Sequence, residues 1–212
     1  MAAITPRWEW RTFGRRFGRA ETVFGELETK GVQETDEIYL LTEKDCNVKI
    51  RAGLLDIKVL QRVNDAGLEL WMPVMKAAFP VGAATLRDVF TAMRVAPPAL
   101  KRDDYTLNQF LVELIEPTET VRAARVHKRR VRYVVGGCTA ELSDVTVDGV
   151  ETRTIAVEAE DAAAVVAAVE SLGLSGYVNT NYSRGLVATL SGQPPRYAVL
   201  DVGTDSVKFH MA

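Results

Sequence analysis

NVKIRAGLLDIKVLQR, residues 47–62, reads as two short strands that turn back on each other through Ala52-Gly53-Leu54. In a strand, successive side chains point to opposite faces. Lys49 and Arg51 therefore share one face and Val48 and Ile50 the other. Beyond the turn, Asp56, Lys58 and Arg62 alternate with Leu55, Ile57 and Val59. One side of this hairpin is apolar, and the other crowds cations into a small area. Like charges side by side on a sheet repel each other. Either this is an ordinary solvated face of an antiparallel sheet, or something anionic lies across it.

The rest of the chain bounds the choice. Its 212 residues suggest one domain, with room for a small appendage, and 47% hydrophobic residues are enough for a full core. The formal net charge of −2 leaves no whole-molecule field to attract nucleic acid, so no nucleic-acid partner is expected. Charge is instead clustered. Arg7, Arg11, Arg15, Arg16 and Arg19 lie near the start, Lys128, Arg129, Arg130 and Arg132 in the middle, and acidic residues gather after Glu141. Cys46 and Cys138 form no CxxC or Cys/His cluster and read as reduced thiols of a cytoplasmic protein. No apolar run is long enough to span a bilayer, and MAAITPRWEW has no signal core, so no membrane partner is expected.

Strand patterns dominate. RWEWRTF, residues 7–13, places Trp8 and Trp10 on one face and Glu9, Arg11 and Phe13 on the other. The basic stretch after Gly14 has little periodicity. Further strands are expected at 34–43, in the opening hairpin and at 67–74. Thr85, with Asp88 three residues on, caps a predicted helix with the stripe Leu86, Val89, Phe90 and Met93, ended by Pro97-Pro98. A second helix starts at Thr106 and stops at Pro117. From Arg125 a three-strand meander turns at Gly136-Gly137 and Asp148-Gly149. Asp161 caps a helix that ends at Gly173, and residues 177–191 read as a turn or short helix at 181–184 and then a strand.

In the meander, Lys128, Arg130 and Arg132 share a face, and on its third strand Glu158 and Glu160 share another. Rows of Lys and Arg suit phosphate oxygens, Arg binding two at once. Carboxylates in pairs suit a hard divalent cation, which takes oxygen ligands and usually substrate phosphates as well. Together they describe a site for a metal-bound polyphosphate chain. Cross-strand salt bridges on a solvated sheet would use the same residues.

The ordered series of motifs resembles the CYTH superfamily, the triphosphate tunnel metalloenzymes, over nearly all of residues 7–190. That family opens with an E-x-E-x-K strand, where this chain has Glu9-Trp10-Arg11-Thr12-Phe13. Its L-R-x-R and L-T-x-K strands are similar to Val48-Lys49-Ile50-Arg51 and Leu55-Asp56-Ile57-Lys58. Its later R-x-K strand is similar to Lys128-Arg129-Arg130, its E-x-E strand to Glu158-Ala159-Glu160, and its late S-Y-x-x-L element to residues 181–186. The resemblance implies an α+β fold, a closed antiparallel β barrel with helices packed outside and a polar tunnel inside. It implies phosphate binding by Arg11, Lys49, Arg51, Lys58, Arg62, Lys128 and Arg130. It also implies Mg2+ or Mn2+ held by Glu9, Glu141, Asp144, Glu158 and Glu160, with Glu158 and Glu160 as the catalytic pair. One departure stands out: Arg11 occupies the place of the family's second glutamate, which removes a metal carboxylate and adds a cation.

After Gln193-Pro194-Pro195, the run Asp201-Val202-Gly203-Thr204-Asp205-Ser206-Val207-Lys208 resembles the first phosphate loop of the exopolyphosphatase and guanosine-pentaphosphate phosphatase family. Asp201, Gly203, Thr204 and Ser206 would form that loop. The expected organisation is a barrel domain over 1–192, then a linker and the truncated start of an exopolyphosphatase-like domain with an actin-like ATPase fold over 193–212. The function expected from both resemblances is binding and divalent-metal-dependent hydrolysis of inorganic triphosphate or polyphosphate, with an exopolyphosphatase catalytic domain as partner. The alternatives are a non-catalytic polyphosphate-capture module and a nucleotide- or thiamine-triphosphate enzyme of the same family.

Overall fold

The alternation read in residues 47–62 reappears as a hairpin, β3 (Cys46–Arg51) and β4 (Leu54–Val63), in which Lys49 stands opposite Asp56 and Val48 opposite Ile57. This computed structural model describes residues 5–44, 46–193, 198–202 and 207–211. Around the hairpin run β1 (Arg7–Gly14), β2 (Gly31–Leu41), β5 (Glu69–Ala78), β8 (Arg122–Val135), β9 (Cys138–Val147) and β10 (Val150–Ala159), with two-residue strands β6 (Val81–Gly82) and β7 (Asp104–Tyr105) set apart as a pair. The eight long strands close into an antiparallel barrel in the order β1-β10-β9-β8-β2-β3-β4-β5, and β5 pairs back onto β1. Closure gives each of the eight strands a partner on both sides over part of its length, β5 meeting β1 through Arg7–Glu9.

The outward faces of the barrel explain the helices. Trp8, Trp10, Ile155 and Val157 project from β1 and β10 and are buried under α1 (Arg19–Glu26) and α4 (Ala162–Ser171), with Phe24, Val165 and Val169 filling the layer. On the other side Val48, Ile50, Leu55 and Ile57 pack beneath α2 (Ala83–Met93) and the α3 segment (Leu107–Gln109), which continues as a π-helical turn over Phe110–Ile115. The Thr106 side chain accepts from Gln109 N in a reciprocal capping box.

Several local expectations are corrected. The basic stretch after Gly14 does contain a helix, α1, because Ala20 and Phe24 recur at one-turn spacing and are buried. Thr85 does not cap α2, which begins at Ala83 after Gly82 and has no side-chain cap bond. Residues 182–191 form one helix, α5 (Tyr182–Ser191), capped by Asn181 Oδ1 accepting from Arg184 N and ended by Gly192 in the left-handed region. The expected strand there yields because Tyr182 and Leu186, four apart, form a helical stripe that has a core to enter.

That core lies within the barrel. Phe13, Tyr39, Leu41, Val126, Val145 and Val147 point inward and pack against Tyr182 and Leu186. Gly185 meets β1 so closely that a Cβ there would run into the Phe13 ring. The bore is thus polar in one part and backed by an apolar plug, not polar from end to end. β11 (Ala198–Val202) and β12 (Val207–Met211) form a separate two-stranded ladder, with Asp201 opposite Lys208. Gly203, Thr204 and Ser206 of the expected tail loop lie outside the described residues. Among the described residues no helix is long and apolar enough to cross a membrane.

Candidate functional site

Strand parity carries the charged residues into the bore. Lys49 and Arg51 from β3 face inward with Asp56 and Lys58 from β4, and Lys128, Arg130 and Arg132 come in from β8. Glu9 and Arg11 of β1, Glu141 of β9 and Glu158 of β10 complete the charged lining of a cavity of about 220 Å³. Seven cations and four carboxylates line it, a surplus of three positive charges in a chain whose net charge is −2.

A residue that the motif reading missed organises the cations. Glu37, on β2, has a fully buried carboxylate, with Lys128 Nζ 3.0 Å from its Oε2 and Arg51 3.7 Å from its Oε1. Lys49 at 3.9 Å and Arg130 at 4.0 Å complete the shell. Burial alone would raise the Glu37 pKa, but Lys128 and Lys49 outweigh it and hold the group below the usual carboxylate range. The signal was present in the sequence, since Glu37 shares strand parity with Tyr39 and Leu41 in ETDEIYLL. Nothing in the motif series pointed to it.

Lys128 is the most deeply buried of the cavity cations. Its side chain is 4% exposed, and burial followed by the nearby Lys49 pushes its pKa down to about 7, against the pull of Glu37. Burial likewise lowers Lys49. Beneath them Tyr39 and Tyr182 stack at 4.8 Å between ring centroids, and Lys128 Nζ stands 4.9 Å from the Tyr182 ring. Asn47 Oδ1 and Tyr182 OH, both on the cavity wall, are buried without a hydrogen-bond partner. Buried polar atoms are usually satisfied, so these two are suited to a bound group or ordered water.

The opposite wall is the carboxylate corner. Arg11 Nε donates to Glu9 Oε1 at 2.7 Å, and its terminal nitrogens donate to Glu141 Oε1 at 3.1 Å and Thr154 Oγ1 at 3.3 Å. Glu141 also faces Arg130 at 3.4 Å. Burial would raise the Glu141 pKa, yet Arg11, Arg130 and Lys128 hold it at about 2. The same carboxylates keep the buried Arg11 guanidinium charged. Glu158, directly across from Glu9 in the β1–β10 register, pairs with Arg7 at 3.3 Å.

Three of the expected ligands lie elsewhere. Asp144 faces outward and pairs with Arg153 at 3.1 Å, because it is one residue off the inward parity of Glu141 and Ser143. Glu160 follows the last residue of β10 and is exposed, so the ladder no longer aims it at the bore. Arg62 lies over the Trp8 ring at 5.1 Å. A register shift between Leu60 and Arg62 gives β4 one extra residue, which reverses the faces beyond it.

The carboxylates that remain do not fit a divalent cation as they stand. Glu9 and Glu141 each already hold the guanidinium. At about 4 Å and an effective dielectric of about 20, a doubly charged ion would be repelled by Arg11 by about 8 kcal/mol. That equals the attraction of one carboxylate at the same distance. Among the described residues no group of three His, Cys, Asp or Glu converges as a metal site.

The barrel with its outer helices matches the CYTH-like triphosphate-tunnel fold. HpAC1 from Hippeastrum, described as a candidate adenylyl cyclase with a dominant triphosphatase activity, aligns with a TM-score of 0.51 at 12% identity, over 88% of this chain and 96% of that one. A conserved hypothetical protein from Pyrococcus furiosus aligns at 0.46 and 14% identity, over 82% of this chain and 98% of its own. A candidate adenylate cyclase from Bacillus halodurans aligns at 0.45 and 13%, over 82% and 92%. What the HpAC1 alignment shows at 12% identity is the fold. No family model matches the sequence, and no curated protein matches it.

Proposed function

We propose that the barrel binds the phosphate groups of a linear triphosphate, with inorganic tripolyphosphate or the end of a polyphosphate chain as the ligand class. The observation that carries this reading is the convergence of Lys49, Arg51, Lys58, Lys128, Arg130 and Arg132 on one cavity. Such a surplus of charge is costly without an anion, and phosphate oxygens match the donors of Lys and Arg. No tryptophan lines the cavity to stack on a base or a thiazole ring: Trp8, Trp10 and Trp71 are buried in the barrel wall. Isothermal titration with tripolyphosphate at about 0.15 M salt, where surface attraction is screened, tests this. Saturable 1:1 binding that weakens at least about tenfold in Lys58→Ala is expected, from the loss of a charge-assisted contact. An unchanged affinity would sink the assignment.

Hydrolysis of the terminal phosphoanhydride is a second reading, favoured by the position of Glu158. Of the expected metal carboxylates that line the cavity, Glu158 is the one that Arg11 does not engage, and its side chain is 29% exposed. There it would take a proton from water attacking the terminal phosphorus as the bridging P–O bond breaks, leaving orthophosphate and a shortened chain. The triphosphatase activity described for HpAC1 points the same way. Phosphate release from tripolyphosphate, abolished in Glu158→Gln, would establish it, and no release from the native protein would leave binding alone. The association with an exopolyphosphatase rests on the tail motif, and a polyphosphate-capture role for the barrel is consistent with it.

A further inference from the structure

We infer that the Arg11 guanidinium takes the place of a divalent cation in the carboxylate corner, so that the cavity takes up its anion without a metal. This rests on the reading of the cavity as a phosphate-chain site. Its basis is what surrounds Arg11. The side chain is 9% exposed, its Nε and both terminal nitrogens are engaged by Glu9, Glu141 and Thr154, and its Cζ lies 4.8 Å from the centroid of the Tyr182 ring. The backbone is fixed as well, since Arg11 N donates to Asn179 Oδ1 and Arg11 O accepts from Thr180 N at 2.7 Å.

Two consequences follow from the chemistry of the group. A guanidinium stays protonated at any pH a protein survives, and no chelator removes it. The corner therefore carries a permanent positive charge that offsets carboxylates which would otherwise repel a polyanion. With three of its five N–H donors held by Glu9, Glu141 and Thr154, Arg11 serves first to neutralise the corner, and the anion is held mainly by the lysines and arginines of β3, β4 and β8. A Mg2+ or Mn2+ ion, by contrast, would have to share both carboxylates with a fixed cation.

The test is calorimetric titration of the full chain with tripolyphosphate in EDTA and again in Mg2+, together with Mn2+ titration alone followed by electron paramagnetic resonance. The expected result is binding in EDTA no weaker than in Mg2+ to within about threefold, and no stoichiometric Mn2+ site in the native protein. Arg11→Glu should gain a Mn2+ site and lose tripolyphosphate binding in EDTA. Binding that appears only with Mg2+, or a native Mn2+ site lost in Glu9→Gln, overturns the inference while leaving the cavity reading intact. Absence of binding under either condition overturns both. Should Arg11→Glu fail to fold, the native protein in EDTA against Mg2+ decides by itself.

Discussion

Lys128 Nζ lies 3.0 Å from Glu37 Oε2, and through this carboxylate the cations of β3 and the cations of β8 share a counter-charge. Its carboxylate offsets part of the repulsion between the two basic rows inside the barrel. Glu37→Gln removes that charge and leaves four cations facing each other. Breaking a buried pair in this way costs about 3 kcal/mol or more. At about 2–4 °C of Tm per kcal/mol for a domain of this size, thermal melting should fall by at least about 6 °C. Added tripolyphosphate should restore part of the loss, because it supplies the missing negative charge.

The depressed pKa of Lys128 makes binding depend on pH. In the free protein this group loses its proton near pH 7, and a bound polyanion raises that value by favouring the charged form. The complex therefore holds more protons than the free protein above pH 7. Affinity should be greatest below about pH 7 and fall as pH rises through the next units. Calorimetry in buffers of different ionisation heat should show proton uptake at pH 8, and Lys128→Met should abolish it. The free protein runs the other way: a lysine depressed below its unfolded value of about 10.4 penalises folding most at and below pH 7, so its contribution to stability improves between pH 7 and 10.

Arg62 and Lys58 differ by four positions in one strand and by the side of the wall they occupy. Arg62 rests on Trp8 outside the bore, and Lys58 lines it. Arg62→Ala should leave tripolyphosphate affinity within about twofold, since surface charges at this ionic strength contribute little. A loss of tenfold or more would place the ligand against the outer wall.

Gly185 tests the plug. A side chain there must displace the Phe13 ring, and with it the contact of α5 with β1. Overpacking of this kind costs about 1–3 kcal/mol. Gly185→Ala should lower Tm by several degrees as read by circular dichroism, whereas the exposed Gly25→Ala in α1 should not.

Much of the architecture was legible in period-2 patterns. The facing of Lys49, Arg51 and Lys58, the parity of Lys128, Arg130 and Arg132, and the turns at Gly136-Gly137 and Asp148-Gly149 needed only strand geometry. Two kinds of feature were not legible. The extra residue in β4 is invisible without a partner strand, so Arg62 reads as inward when it is not. α5 has too short a stripe to declare a helix until the bore it plugs is known. Glu37 fell between these cases: its parity was readable, but a buried carboxylate acquires meaning only once four cations from other strands surround it. Asp144 and Glu160 show the converse, acids that suit a motif by spacing and leave the cavity by parity or by the end of a strand.

The most direct measurement is titration of the native chain and Arg51→Glu with tripolyphosphate. Convergence of cations inside the barrel predicts saturable 1:1 binding to the native protein and its loss in the charge-reversed variant, with both proteins folded by circular dichroism. Equal binding by the two, or none by the native chain, would contradict it.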